Sequence, residues 1–214
     1  MALILPRSVM IHVPKTGGTW CAEAIKRAKI PFEEPMIPGS SFVQSRHCTI
    51  NAVVDRIGDR LTFGFIRHPM TWLRSQWKYN IDREAYKKWK KPYNHWTAKC
   101  WSLDYITFVK RIIAKNKAHI PTNEMFKRLG FVVNAAEKRW ERGPHAVKFI
   151  GRTEFLSGDL IEVLARAGEK FDLHVVAQTP PMRVSKAKVN REPSRKLVKK
   201  IEQSNSQIMD LLNL

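Results

Sequence analysis

Cysteine is scarce in this chain of 214 residues: Cys21, Cys48 and Cys100 are odd in number and form no CxxC pair. Neither a disulfide framework nor a zinc site is indicated, and a reducing setting is expected. Long apolar runs are missing too. No stretch approaches the roughly 18–20 consecutive apolar residues of a membrane span. The opening Met-Ala-Leu-Ile-Leu is too short for a leader core and meets Pro6 and Arg7 at once. Acidic residues are few, 19 against 38 Lys and Arg, so the formal net charge is +19. Such a balance calls for an anionic partner, whether nucleic acid, nucleotide, acidic glycan or membrane surface. What is present in quantity is core material. With 43% hydrophobic and 10% aromatic residues the chain is no disordered polybasic tail. Its length suits one domain, residues 1–214.

Strand and helix signals alternate along the chain. Ser8–Val13 is a short apolar run ending at Pro14, read as a buried strand. Thr19 opens a helix through Ala28, stopped by Pro31. Leu61–Ile66 is a second apolar strand, followed by Arg67-His68-Pro69, with Pro69 suited to the first turn of a helix. Asp104 can cap a helix carrying Ile106, Val109, Ile112 and Ile113. Val147–Ile150 reads as a third strand, and the helix after Ser157 closes at Gly168. A last helix starts near Ser194 and carries Leu197, Ile201, Ile208 and Leu211. This alternation predicts an α/β fold with a central, mainly parallel sheet flanked by helices. Two stretches are compositionally odd. Five of the seven Trp fall between Trp72 and Trp101 among many Lys and Arg, and residues 183–200 hold eight Lys/Arg against Glu192 alone.

The most informative stretch is His12-Val13-Pro14-Lys15-Thr16-Gly17-Gly18-Thr19-Trp20. A strand feeds a glycine-containing turn that opens a helix. That arrangement makes a nest of backbone N–H groups at the positive end of a helix dipole, with glycines allowing a phosphate close approach. Lys15 adds a point charge, and Thr16 and Thr19 add hydroxyls. The order excludes a Walker A loop, in which the Lys follows the glycines. No carboxylate ends the Leu61–Ile66 strand to hold magnesium; Arg67 stands there instead.

These residues resemble a known family. Pro14-Lys15-Thr16-Gly17-Gly18-Thr19 is similar to the 5′-phosphosulfate loop of sulfotransferases that use 3′-phosphoadenosine 5′-phosphosulfate (PAPS). Arg67-His68-Pro69, with Ser75 eight positions after Arg67, resembles their 3′-phosphate element. Phe149-Ile150-Gly151-Arg152-Thr153-Glu154-Phe155-Leu156 and Arg46-His47-Cys48-Thr49 are similar to segments of the carbohydrate-type branch. His68 departs from the pattern, where Asn or Asp commonly stands. The resemblance spans the chain from about Ser8 to the C-terminal helix and implies a P-loop-like sulfotransferase architecture.

It also implies a chemistry: in-line transfer of a sulfuryl group from PAPS to an acceptor hydroxyl or amine, with adenosine 3′,5′-bisphosphate (PAP) as product and no metal required. Lys15 would neutralise the leaving oxygen. Lys15, Thr16, Gly17, Gly18, Thr19, Trp20, Arg67, Ser75 and Thr153 would bind the nucleotide, Trp20 either stacking on adenine or serving as a core aromatic. His47 is the candidate general base, since a largely neutral imidazole accepts a proton near pH 7; His12 and His68 sit beside phosphate elements, and Glu154 is the next candidate. The positive charge favours an acidic glycan among acceptors, and no specific nucleic-acid partner is expected. Enzymes of this family in the Golgi usually carry an N-terminal anchor, and without one a cytoplasmic enzyme is expected. Two competing readings are a basic nucleic-acid-binding protein, which the charge and the Trp-rich stretch support, and a P-loop nucleotide kinase, which lacks its Walker Lys.

Overall fold

A computed structural model describes residues 2–36, 48–82, 100, 102–182 and 185–212. In chain order the strands are β1 (Ala2–Ile4), β2 (Ser8–Ile11), β3 (Leu61–Ile66), β4 (Phe131–Asn134), β5 (Arg139–Arg142) and β6 (Phe149–Arg152). The helices are α1 (Gly18–Arg27), α2 (Pro69–Asp82), α3 (Tyr105–Ala114), α4 (Ile120–Arg128), α5 (Leu156–Ala167), α6 (Leu173–Ala177), α7 (Arg195–Gln203) and α8 (Ser206–Leu212). Short 3-10 turns cover Ile50–Arg56 and Thr153–Phe155. The fold is α/β, with a mixed sheet of mostly parallel strands flanked by helices. No described helix is long and apolar enough to cross a membrane.

The chain divides into two compact units, Met1–Arg67 with Glu124–Met182 and His68–Asn123 with Arg183–Leu214. The first contains the sheet, in the order β1-β2-β3-β6. β2, β3 and β6 run parallel, with Ile11 opposite Gly64 and Ile66 opposite Arg152. β1 pairs antiparallel with β2, Leu3 opposite Met10. The opening apolar run is therefore an edge strand, a role that its three residues are too short to reveal by pattern. Both faces of the central strands are covered, which is why they read as continuous apolar runs rather than alternating ones. Leu3, Met10, Phe63 and Phe65 join Ile25 of α1, Leu160, Val163 and Leu164 of α5 and Val176 of α6 in one buried cluster. A separate hairpin, β4 with β5, turns on Asn134, whose side-chain oxygen accepts the N–H groups of Ala136 and Glu137 at 3.0 and 3.2 Å.

The second unit is helical among its described residues. Asp104 caps α3 as expected, accepting the Thr107 N–H at 2.8 Å. Trp77 of α2 lies 5.5 Å from the Tyr105 ring, and the Tyr105 hydroxyl donates to the Met70 carbonyl at 3.2 Å. Burial pushes that hydroxyl's pKa up to about 12. The expected C-terminal helix is two helices, α7 and α8, broken at Ser204–Asn205. Asn205 is buried; its amide donates to the carbonyls of Ala118 and Ile201, both at 2.7 Å, and its oxygen accepts from Thr122 N–H and hydroxyl. A side chain with that many partners outcompetes a continuous helix at this point.

Candidate functional site

Parallel pairing of β2, β3 and β6 brings their C-terminal ends to one edge of the sheet. The three motifs that follow those strands meet there: the loop 12–19, Arg67, and Thr153. Crevices at the carboxyl ends of parallel strands are the usual ligand sites of α/β folds. β2 stops at Ile11, two residues before the expected end, so His12 and Val13 already belong to the loop.

The loop's backbone is unusual. Lys15 has φ +68° and Gly17 φ +87°, both left-handed, with Thr16 between them. Such alternation turns successive N–H groups to one side, as in anion-binding nests. For a Lys the left-handed region costs on the order of 1 kcal/mol, so something must hold it. Two hydrogen bonds do. The Thr16 hydroxyl donates to the Val13 carbonyl at 2.8 Å, and Arg67 Nη1 donates to the Lys15 carbonyl at 3.0 Å. Gly17 is the N-cap of α1, and the first intrahelical bond runs from Cys21 N–H to the Gly17 carbonyl at 3.1 Å. The N–H groups of Gly18, Thr19 and Trp20 precede that bond, at the positive end of the helix. Close packing explains the glycines. A Cβ at Gly17 would collide with Leu156 of α5, and one at Gly18 with the His12 ring.

Thr16 is 1% exposed and its proton is committed to Val13, which leaves its backbone for a ligand. Lys15, Thr19 and Trp20 are half-buried. Trp20 packs on the core cluster and its indole N–H donates to the Thr179 carbonyl at 3.2 Å, so the ring is held in place. The Thr153 hydroxyl donates to the Ile66 carbonyl at 2.9 Å, tying the end of β6 to the residue before Arg67. Two supports escaped the sequence reading. The Arg67 N–H donates to the Met125 sulfur at 3.3 Å. Asp159, 7% exposed, accepts the Arg152 N–H at 2.7 Å and its Nε at 3.2 Å, and the Arg152 guanidinium lies 4.4 Å from the centroid of the exposed Phe155 ring. An acid in the first turn of α5, a few residues after a strand-ending Arg, was the available signal for that pair.

Ser75 belongs to the second unit, half-buried on α2. His68 in that unit is the cap of α2. Its carbonyl accepts the Trp72 N–H at 2.9 Å and its Nδ1 accepts the Met70 N–H at 3.2 Å. Nε2 faces Glu202 at 3.3 Å. Asn and Asp favour the N-cap position for the same acceptor geometry, and the His68 ring supplies it here. Arg74 pairs with Glu192 and lies over the Tyr105 ring. His47 and Arg46 lie outside the described residues. Cys48 beside them is buried, and desolvation raises its thiol pKa. Glu154 is exposed, in the 3-10 turn beside Thr153.

No protein-family model, no curated protein and no solved structure matches the chain.

Proposed function

We propose that the protein is a PAPS-dependent sulfotransferase of P-loop-like architecture. The observation that carries the reading is the left-handed Lys15 and Gly17 turn at the head of α1, with its carbonyl side tied by Arg67 from the neighbouring parallel strand. The turn presents the N–H groups of Gly18, Thr19 and Trp20 at the head of α1, with Lys15 in the same turn. A 5′-phosphosulfate suits such a donor set. Arg67 and Ser75 are assigned the 3′-phosphate on the sequence resemblance alone, and Trp20 the adenine on the same ground.

In the reaction the acceptor oxygen, or nitrogen, forms a bond to sulfur as the bond from sulfur to the bridging phosphate oxygen breaks. Electrons of that bond stay on the departing oxygen, where Lys15 offsets the growing charge. The acceptor proton passes to a base, for which His47 is our assignment and Glu154 the alternative. Positioning and charge stabilisation supply the rate. Lys15 would therefore matter more at the transition state than for binding.

Calorimetric titration with PAP, AMP, ATP and single-stranded DNA tests the reading. PAP is expected to bind more tightly than AMP. Arg67→Ala and Ser75→Ala should each lose on the order of 1–3 kcal/mol on PAP and little on AMP. Equal affinity of the wild type for PAP and AMP would remove the 3′-phosphate assignment, and preference for ATP with a magnesium requirement would favour a kinase. Lys15→Ala should cut turnover more than PAP affinity.

A further inference from the structure

The histidine that caps α2 has both ring nitrogens engaged, and its second partner comes from far along the chain. Pro69 has no N–H to offer, so the start of α2 depends on what holds Met70, Thr71 and Trp72. His68 holds all three. Its ring Nδ1 accepts the Met70 N–H at 3.2 Å, and its carbonyl accepts the Trp72 N–H at 2.9 Å and the Thr71 hydroxyl at 3.0 Å. A ring nitrogen that accepts carries no hydrogen, so the hydrogen of the imidazole is on Nε2. Nε2 lies 3.3 Å from Glu202 Oε1, near the end of α7.

Glu202 stands where its own helix does not favour it. It is in the last turn of α7, the negative end of the dipole, which suits cations. Lys199 and Lys200 are close to it in sequence, in a chain holding 38 Lys and Arg, yet the carboxylate faces a histidine. The partner of one ring nitrogen sets the tautomer and orientation of a histidine for the other. Glu202 thus holds the ring at the angle that keeps Nδ1 on Met70. Met70 is buried, and without that acceptor its N–H would be unpaired away from water. From α3, the Tyr105 hydroxyl donates to the Met70 carbonyl, so two helices hold the first turn of α2.

A carboxylate beside a histidine is also how a general base is activated. Here neither ring nitrogen is left to take an acceptor proton, because one is on Met70 and the other on Glu202. The pair positions; it does not react. What it positions is the start of α2, with Arg67 immediately before the cap and Ser75 in the second turn. Small displacements of groups that orient a ligand are costly.

We propose that Glu202 is a positioning residue for the nucleotide, acting through the His68 ring to hold α2 where Arg67 and Ser75 serve the 3′-phosphate. The identity of the ligand rests on the sulfotransferase reading.

Calorimetric titration of the full chain with PAP and AMP tests it in Glu202→Ala, His68→Asn and the double variant. Glu202→Ala should weaken PAP at least about fivefold and AMP less than about twofold, since the displaced groups are those assigned to the 3′-phosphate. Asparagine caps a helix through its own short side chain and needs no carboxylate behind it. The double variant should therefore bind PAP within about twofold of His68→Asn. Equal losses on PAP and AMP would overturn the proposal. So would a loss from Glu202→Ala that persists in the asparagine background. Without nucleotide, a long-range proton–nitrogen correlation spectrum of the wild type should show His68 protonated at Nε2 and not at Nδ1; a hydrogen on Nδ1 would overturn it as well. Failure of the wild type to bind PAP removes the sulfotransferase reading together with this one. PAP binding that Glu202→Ala leaves intact removes this one alone.

Discussion

A methyl group added at position 18 would overlap Cδ2 of the His12 imidazole and stand 2.5 Å from its Nε2. Alanine is otherwise the better helix former by about 1 kcal/mol, so the sign of Gly18→Ala depends on whether the ring can move. It sits at the close-packed start of α1, and overpacking of that kind typically costs about 1–3 kcal/mol. Gly18→Ala should therefore lower the urea midpoint at constant m, whereas His12→Ala with Gly18→Ala should cost less than the two single effects added. Strict additivity in that cycle would mean the contact is not what requires the glycine. Part of this detail was legible beforehand. The two glycines, the lysine ahead of them and the strand–turn–helix context are local, and local signals survive in sequence. Their partners are not local. Leu156 and Arg67 reach the loop only because β2, β3 and β6 lie side by side, and no spacing within residues 12–20 announces them. His68 was read as a departure from the family pattern because residue identity was compared. In the structure its ring Nδ1 accepts the Met70 N–H at the cap of α2.

Elements with a chemical start or stop signal were placed well. Pro69 opens α2, Asp104 caps α3 and Gly168 closes α5, each at the position that its side chain or backbone freedom dictates. The Asp104 cap makes a testable pH prediction. Hydrogen bonds from Thr107 hold its carboxyl below the ordinary value of about 3.9. A carboxylate depressed on folding contributes fully above its unfolded pKa and loses that contribution as pH falls through the folded value. Asp104→Ala should cost about 1 kcal/mol at neutral pH, and the gap between variant and wild type should narrow below about pH 4. Asp104→Asn, still able to cap, should show no such narrowing. A gap for the alanine variant that stays constant into acid would mean that the lost stability has another origin. Elements defined by remote partners were not legible. β1 exists because β2 offers it an edge, and the break between α7 and α8 exists because Asn205 finds Thr122 and Ala118 more than eighty residues away. The start of β6 at Phe149 rather than Val147 is set by its register with Phe63.

At the scale of the whole chain, alternation of strand and helix signals was sufficient for an α/β fold with a mostly parallel sheet. Its division into two compact units was not legible, since each unit is built from two separated stretches and only the boundary at Met182–Arg183, just after Pro180-Pro181, has a linker-like composition. Net charge, by contrast, was fully legible and has a consequence for stability. At +19 the compact state carries more self-repulsion than the expanded chain. Repulsion among surface cations acts over a Debye length, about 30 Å at 0.01 M salt and about 8 Å at 0.15 M. Exposed ion pairs such as Arg166–Glu162 act over much shorter distances and contribute little individually. Adding salt should thus screen the unfavourable long-range term more than the favourable short-range one. The urea midpoint at pH 7 should rise between 0.01 and 0.15 M NaCl with m unchanged, and it should rise less in K196Q/K199Q/K200Q, where three clustered charges are gone. A midpoint that falls with salt would mean that the ion pairs, rather than the excess of Lys and Arg, dominate the electrostatics of this fold.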